Sequence, residues 1–257
     1  MDSEQGRKMY IELLKKAILF EIWQEYEQDL LSALINRNQV TTVDRKKHKM
    51  GEIWPKIAHS MIGRMRMDNI QMCIETVLKD NIEGDFIETG VWRGGACIFM
   101  RGLLKVHEID DRKVWLADSF QGLPAPNEAM YPKDKGVRLH TLDYLSVSLE
   151  DVQNNFRKYD LLDENVQFLK GWFKDTLPNA PIEKLAILRL DGDLYESTMD
   201  SLTNLYDKVS QGGFIIIDDY ILPTCAAAIT DFRRERKIQD PLVRIDNHSV
   251  YWRKHLS

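Results

Sequence analysis

The sequence predicts an α/β protein with a mostly parallel sheet, and three observations carry that reading. From residue 85 onward, short apolar runs alternate with stretches of helical spacing. Two of the runs, Leu188-Arg189-Leu190-Asp191-Gly192-Asp193 and Phe214-Ile215-Ile216-Ile217-Asp218-Asp219, end in aspartates. Parallel strands would deliver such residues to the carboxyl edge, where open α/β sheets bind ligands. The third observation is a Gly-rich turn, Glu88-Thr89-Gly90-Val91-Trp92-Arg93-Gly94-Gly95, between the first strand and a helix.

Taken in order, residues 5–38 show helical spacing in Tyr10, Leu13, Leu14, Ile18, Leu19, Ile22 and Trp23, continued by Leu30, Leu31, Leu34 and Ile35. Such a helix cannot bury its apolar face alone, so it is expected to pack on the main domain, a partner subunit or a ligand. Residues 38–51 are polar and basic (Arg45-Lys46-Lys47-His48-Lys49) and read as a flexible, solvated loop. Met61, Ile62, Met65, Ile70, Cys73, Ile74 and Val77 predict a helix within residues 60–79. Strands follow at 86–91, 114–118, 166–169, 185–190 and 213–217, and helices at 96–106, 148–159, 197–209 and about 224–236. A long Pro-containing loop separates the second and third strands. Residues 243–252 close the chain as an antiparallel hairpin around Asn247-His248. The expected organisation is a helical extension and lid over residues 1–60 and one main domain over 61–257.

Composition narrows the function. With 257 residues, 44% hydrophobic and 29% charged, the chain reads as an ordinary soluble globule. A net charge of −5 argues against nucleic-acid partners. Cys73, Cys97 and Cys225 form no Cys-x-x-Cys pair and read as buried thiols rather than disulfides or zinc ligands. The polar start Met1-Asp2-Ser3-Glu4-Gln5 does not look like a secretory leader, and no apolar stretch approaches a membrane span. A cytoplasmic protein without membrane partners is expected, assembled as a homodimer or higher homo-oligomer.

The two aspartate-tipped strands point to a metal. Four carboxylates converging with no basic residue beside them repel strongly, and a hard divalent cation such as Mg²⁺ is the simplest way to hold them. The alternative is that Asp-Gly-Asp and Asp-Asp are loop punctuation. The Glu88–Gly95 turn lacks the G-x-G-x-x-G of dinucleotide binders, which disfavours a nicotinamide dehydrogenase. It suits a smaller ligand bearing an ammonium and a carboxylate, with Glu88 free to face positive charge; a plain tight turn explains the glycines equally well. Asp118 ends the second strand where nucleoside binders place an acid on the ribose hydroxyls, although it could also be a helix N-cap. Ser119-Phe120-Gln121-Gly122 follows it, and Gly171 and Trp172 follow the third strand at the same edge. Tyr220 and Trp252 remain open as neighbours of an acceptor.

These segments, together with Gly171-Trp172-Phe173-Lys174-Asp175-Thr176-Leu177-Pro178, Leu190-Asp191-Gly192-Asp193-Leu194-Tyr195-Glu196 and Gly212–Tyr220, resemble the successive blocks of the macrocin O-methyltransferase family. The resemblance covers roughly residues 57–253, in order, and leaves the N-terminal forty outside it. It implies a Rossmann-like class I methyltransferase fold, with a mostly parallel seven-stranded sheet, an antiparallel C-terminal hairpin and an N-terminal helical lid. It also implies methyl transfer from S-adenosylmethionine (SAM) to a deoxysugar hydroxyl of a macrolide or aminocoumarin, with Mg²⁺. On this likeness Asp191, Asp218 and Asp219 are the metal ligands and Asp193 the general base. SAM is expected against Met61, Glu88, Gly90, Trp92, Asp118, Ser119, Gly171, Trp172 and Asp191. Asp193, two residues beyond Asp191, would share its side in an extended segment. Of the six histidines, only His140, in the long loop, stands as a substitute base. The rival readings are a catechol-type O-methyltransferase with a phenolic or polyketide acceptor and a non-catalytic module that binds SAM or metal.

Overall fold

The computed structural model describes residues 3–35 and 41–255. Five parallel strands build the sheet: β1 Asp85–Thr89, β2 Val114–Asp118, β3 Val166–Lys170, β4 Leu185–Leu190 and β5 Val209–Ile217. The C-terminal hairpin, β6 Val243–Arg244 and β7 Val250–Arg253, docks antiparallel on β5 through β7. The order across the seven-stranded sheet is β3-β2-β1-β4-β5-β7-β6. The strand order reverses between β1 and β4, and the crevice above such a switch point is where open α/β sheets take their ligands.

The helices are α1 Ser3–Ile18, α2 Leu30–Ile35, α3 Arg45–Met50, α4 Gly63–Lys79, α5 Gly95–Val106, α6 Leu149–Lys158, α7 Phe173–Thr176, α8 Tyr195–Leu205 and α9 Pro223–Glu235. Strand alternation divides the apolar residues between two faces. Phe86, Leu116, Ile187 and Ile216 pack with Ile70 and Ile74 of α4, Ile98 and Leu103 of α5 and Phe156 of α6. Ile87, Ala117, Leu188 and Ile217 pack with Leu202 of α8 and Ile229 and Phe232 of α9. All six residues of β4 are buried, as a central strand covered on both faces requires. Cys73, Cys97 and Cys225 are free and buried.

Two N-terminal expectations are corrected. The helical stripe stops at Ile18, because Phe20 turns left-handed at φ 57°. A short 3₁₀ turn follows over Glu21–Tyr26, and the chain then re-enters helix at α2, where the Asp29 carboxylate accepts the backbone N–H groups of Leu31 and Ser32. Ile11, Leu14 and Ile18 of α1 share the apolar cluster of α4 and α5. The expected loop at 38–51 contains helix α3. Its Asp44 cap accepts from Lys46 and Lys47, and Gly51 ends it in the left-handed conformation. The lysines stay exposed while His48 is buried, so α3 has no apolar stripe to betray it. Residues 36–40, where both expectations meet, lie outside the described residues.

Candidate active site

Backbone hydrogen bonds stitch the carboxyl edge together just beyond the strands. Gly90 N–H donates to the Ala117 carbonyl, Asp191 N–H to Thr89 and Asp218 N–H to Leu190, each at 2.9 Å. Gly90 must be glycine: its φ is 89°, and a Cβ would lie 1.8 Å from the Asp191 carbonyl oxygen. The turn after β1 is therefore pressed directly onto the Asp-Gly-Asp turn after β4.

Above this edge lies a cavity of about 610 Å³, a size ordinary for small-molecule sites. The residues expected from the sequence all line it: Met61, Glu88, Gly90, Trp92, Asp118, Ser119, Gly171, Trp172, Asp191, Asp193, Asp218 and Asp219. Leu31, Ile53 and Trp54 form part of its wall from the N-terminal sixty residues.

Asp191, Asp218 and Asp219 converge, each offering one oxygen within 4.8 Å of the others. The expectation that no basic residue stands among these carboxylates is overturned. Arg189 is fully buried at the end of β4, and its guanidinium reaches Glu88, Asp191 (2.8 Å) and Asp218. Arg66 holds the other oxygen of Asp218. Burial would raise Asp218, but the two arginines outweigh it and hold its carboxyl below the usual range. The other three are raised instead, although Arg189 also pulls Asp191 down. Burial pushes Asp219 well up, helped by Asp193 and Asp191, and it raises Asp191, helped by Asp218. Asp193 is pushed up to about 7 by burial and by its neighbours Asp191 and Asp218. Two arginines thus neutralise one end of the cluster, and the raised carboxyls of Asp191, Asp193 and Asp219 line the cavity with Arg189, on Asp191, as their counter-charge. Hard oxygen donors, crowded and short of counter-charge, fit a divalent cation such as Mg²⁺.

Asp193 reaches this position by a different route from the one expected. Its segment is not extended, since φ at Asp193 is 59°. The left-handed turn is held by Asp193 N–H donating to Asp219 (3.2 Å) and by the Thr224 hydroxyl donating to the Asp193 carbonyl (2.6 Å).

At the turn after β1, Glu88 is not free to face a ligand's positive charge. One of its oxygens meets Arg189 and the other accepts the Cys97 thiol at 2.9 Å. Burial pushes its carboxyl up to about 7 even against the pull of Arg189. Asp118 accepts backbone N–H groups from Val91 and Phe120, both at 2.7 Å, and so ties the turns after β1 and β2 together. Trp92 donates its indole N–H to the Tyr144 carbonyl and carries the Arg93 guanidinium 4.1 Å from its ring.

Sequence reasoning missed Arg66, Arg189, His59 and His248, all four at or beside this site. Arg66, His59 and His248 line the cavity, whereas His140, the substitute base, does not. Trp252 is fully buried and cannot flank an acceptor.

The Macrocin-O-methyltransferase (TylF) family profile matches residues 7–254. The chain belongs to this family. The match begins at residue 7, so the N-terminal helices that the motif blocks left out are part of the family's chain. The sequence is 48% identical over 255 residues to the demethyldecarbamoylnovobiocin O-methyltransferase of Streptomyces niveus, spanning 98% of this chain and 96% of the relative. It is 46% identical over 252 residues to the 8-demethyl-8-(2,3-dimethoxy-alpha-L-rhamnosyl)-tetracenomycin-C 4'-O-methyltransferase of Streptomyces olivaceus, spanning 98% and 94%. The solved structure of the O-methyltransferase NovP matches with a TM-score of 0.91 at 48% identity, covering 97% of this chain and 100% of that one. The protein is an O-methyltransferase with a class I methyltransferase fold. No described helix is long and apolar enough to cross a membrane.

Proposed function

We propose that this enzyme transfers the methyl group of SAM to a sugar hydroxyl of a glycosylated natural product, with Mg²⁺ held by Asp191, Asp218 and Asp219. The observation that carries the reading is the three-carboxylate cluster with a fourth, Asp193, beside it on the wall of the same cavity. The Gly90 turn and Asp118 share that cavity and are the groups that would take the amino-acid and ribose ends of SAM. A relative named for a rhamnosyl substrate supports a sugar acceptor.

Bound there, SAM supplies an electrophilic methyl group and Mg²⁺ supplies Lewis acidity toward a coordinated hydroxyl. Asp193 would accept the proton of the acceptor hydroxyl, and the methyl group would pass from sulfur to oxygen, leaving SAM as its neutral thioether. Burial, the largest cause of the rise in the Asp193 carboxyl, does not depend on the neighbouring charges that a cation would neutralise, and it makes this carboxylate a stronger base than an exposed aspartate. Leu31, Ile53 and Trp54 would close the acceptor side as an apolar lid and exclude water.

The test is transfer of a labelled methyl group from SAM to a panel of glycosylated macrolides, aminocoumarins and rhamnosyl polyketides, with catechols as the contrasting arm. Labelled glycoside that is abolished by EDTA and restored by Mg²⁺ is expected. Full activity in excess EDTA would remove the metal from the account, and methylation of catechols alone would remove the sugar.

A further inference from the structure

Arg66 lies in the first turn of α4 and is 6% exposed, yet it touches three parts of the molecule that are remote in sequence. Nη1 meets Oδ2 of Asp218. Nη2 donates to the carbonyl of Gly51, the residue that ends α3, at 2.9 Å. Nε lies 3.0 Å from Oδ2 of Asp246. Each partner leads to the cavity. Gly51, Glu52, Ile53 and Trp54 line it. Asp246 receives the N–H groups of His248 (2.8 Å) and Ser249 (2.9 Å) on its other oxygen, and His248 also lines the cavity. The Ser249 hydroxyl returns to the Asp218 carbonyl and closes the loop of contacts.

A guanidinium presents its donors in a rigid fork, so a change in the charge on one partner redistributes its hold on the others. A divalent cation on Asp218 would repel Arg66 and draw on the same carboxylate. The fork would then bear more strongly on Gly51 and Asp246. We propose that Arg66 is a positioning residue that transmits occupancy of the cation site at Asp218 to two walls of the acceptor cavity, the 51–54 segment and the His248 turn. The inference rests on the metal reading above and adds to it an order of events: the cation tightens the acceptor walls before the acceptor arrives.

The test uses the full-length protein and Mn²⁺ alone, with no SAM and no acceptor. Electron paramagnetic resonance measures Mn²⁺ binding, and amide hydrogen exchange is followed over residues 51–58 and 246–249 at saturating Mn²⁺. In the wild type, Mn²⁺ should slow exchange in both segments by about fivefold or more, the lower end of ordinary coupling between sites. Arg66→Lys keeps the charge but not the three-way fork. It should still bind Mn²⁺, while the cation no longer slows either segment. Asp246→Asn, which retains an acceptor for His248 and Ser249, should remove the response of the 246–249 turn if Arg66→Lys does not fold. A wild type that binds Mn²⁺ with no change in exchange overturns the coupling alone, as does an undiminished response in Arg66→Lys. A wild type that binds no Mn²⁺ overturns the metal reading and the coupling together.

Discussion

One guanidinium, that of Arg189, serves Glu88 at the end of β1 and two of the aspartates in the cluster. It is fully buried, so its charge is tolerable only because those carboxylates surround it. The converse also holds: without Arg189, Glu88 and Asp218 would be buried with less or no counter-charge. Breaking a buried pair from one side costs about 3–5 kcal/mol, so Arg189→Gln should lower the free energy of unfolding in urea by about that amount. A loss under about 1 kcal/mol would mean that the pairs are replaceable. The sequence displayed the acids of this site but hid its bases. The aspartates sit at strand ends, where topology alone predicts their meeting. Arg189 sits inside an apolar strand, and Arg66 is 152 residues from the carboxylate it holds. No local pattern reports such partners.

Most elements from residue 85 onward were legible because their apolar periods are strong and each parallel strand runs into Gly or Asp, although β5 begins at Val209 where the sequence predicted the end of a helix. The N-terminal elements were harder to read. α3 is written in its caps, Asp44 and Gly51, rather than in hydrophobic spacing, and the break at Phe20 follows from a left-handed residue that any periodicity passes over. Helix α8 shows the same limit at longer range. Its N-cap position is Leu194, which offers no side-chain acceptor. The cap comes instead from Asp134 in the long loop, fully buried, whose two oxygens accept from Tyr195 N–H (2.6 Å) and Glu196 N–H (3.0 Å). The carboxylate also complements the helix dipole. Asp134→Ala should therefore cost about 1–2 kcal/mol, seen as a lowered melting temperature, and should loosen the loop that α8 anchors. An unchanged melting temperature would show that water replaces the cap at no cost.

For the whole molecule, the strand order and the site are one fact seen twice. Reversal of the sheet between β1 and β4 opens the crevice, and the central strands β1, β4 and β5 deliver Glu88, Asp191, Asp193, Asp218 and Asp219 to it. The hairpin contributes the His248 turn, and the N-terminal segment contributes Leu31, Ile53 and Trp54, so both ends of the chain help to enclose the cavity. The central claim is a division of labour within one cluster, in which Asp191, Asp218 and Asp219 hold the cation and Asp193 takes the proton. The most direct measurement compares Asp193→Asn with Asp191→Asn across a Mg²⁺ titration. Loss of a general base should lower kcat in Asp193→Asn by about 10²–10⁴-fold, with Mg²⁺ affinity near that of the wild type and no rescue by added metal. Asp191→Asn should instead weaken Mg²⁺ and recover part of its activity at high Mg²⁺. Equal rescue of both variants by metal would contradict the account, because it would make Asp193 a fourth ligand and send the proton elsewhere.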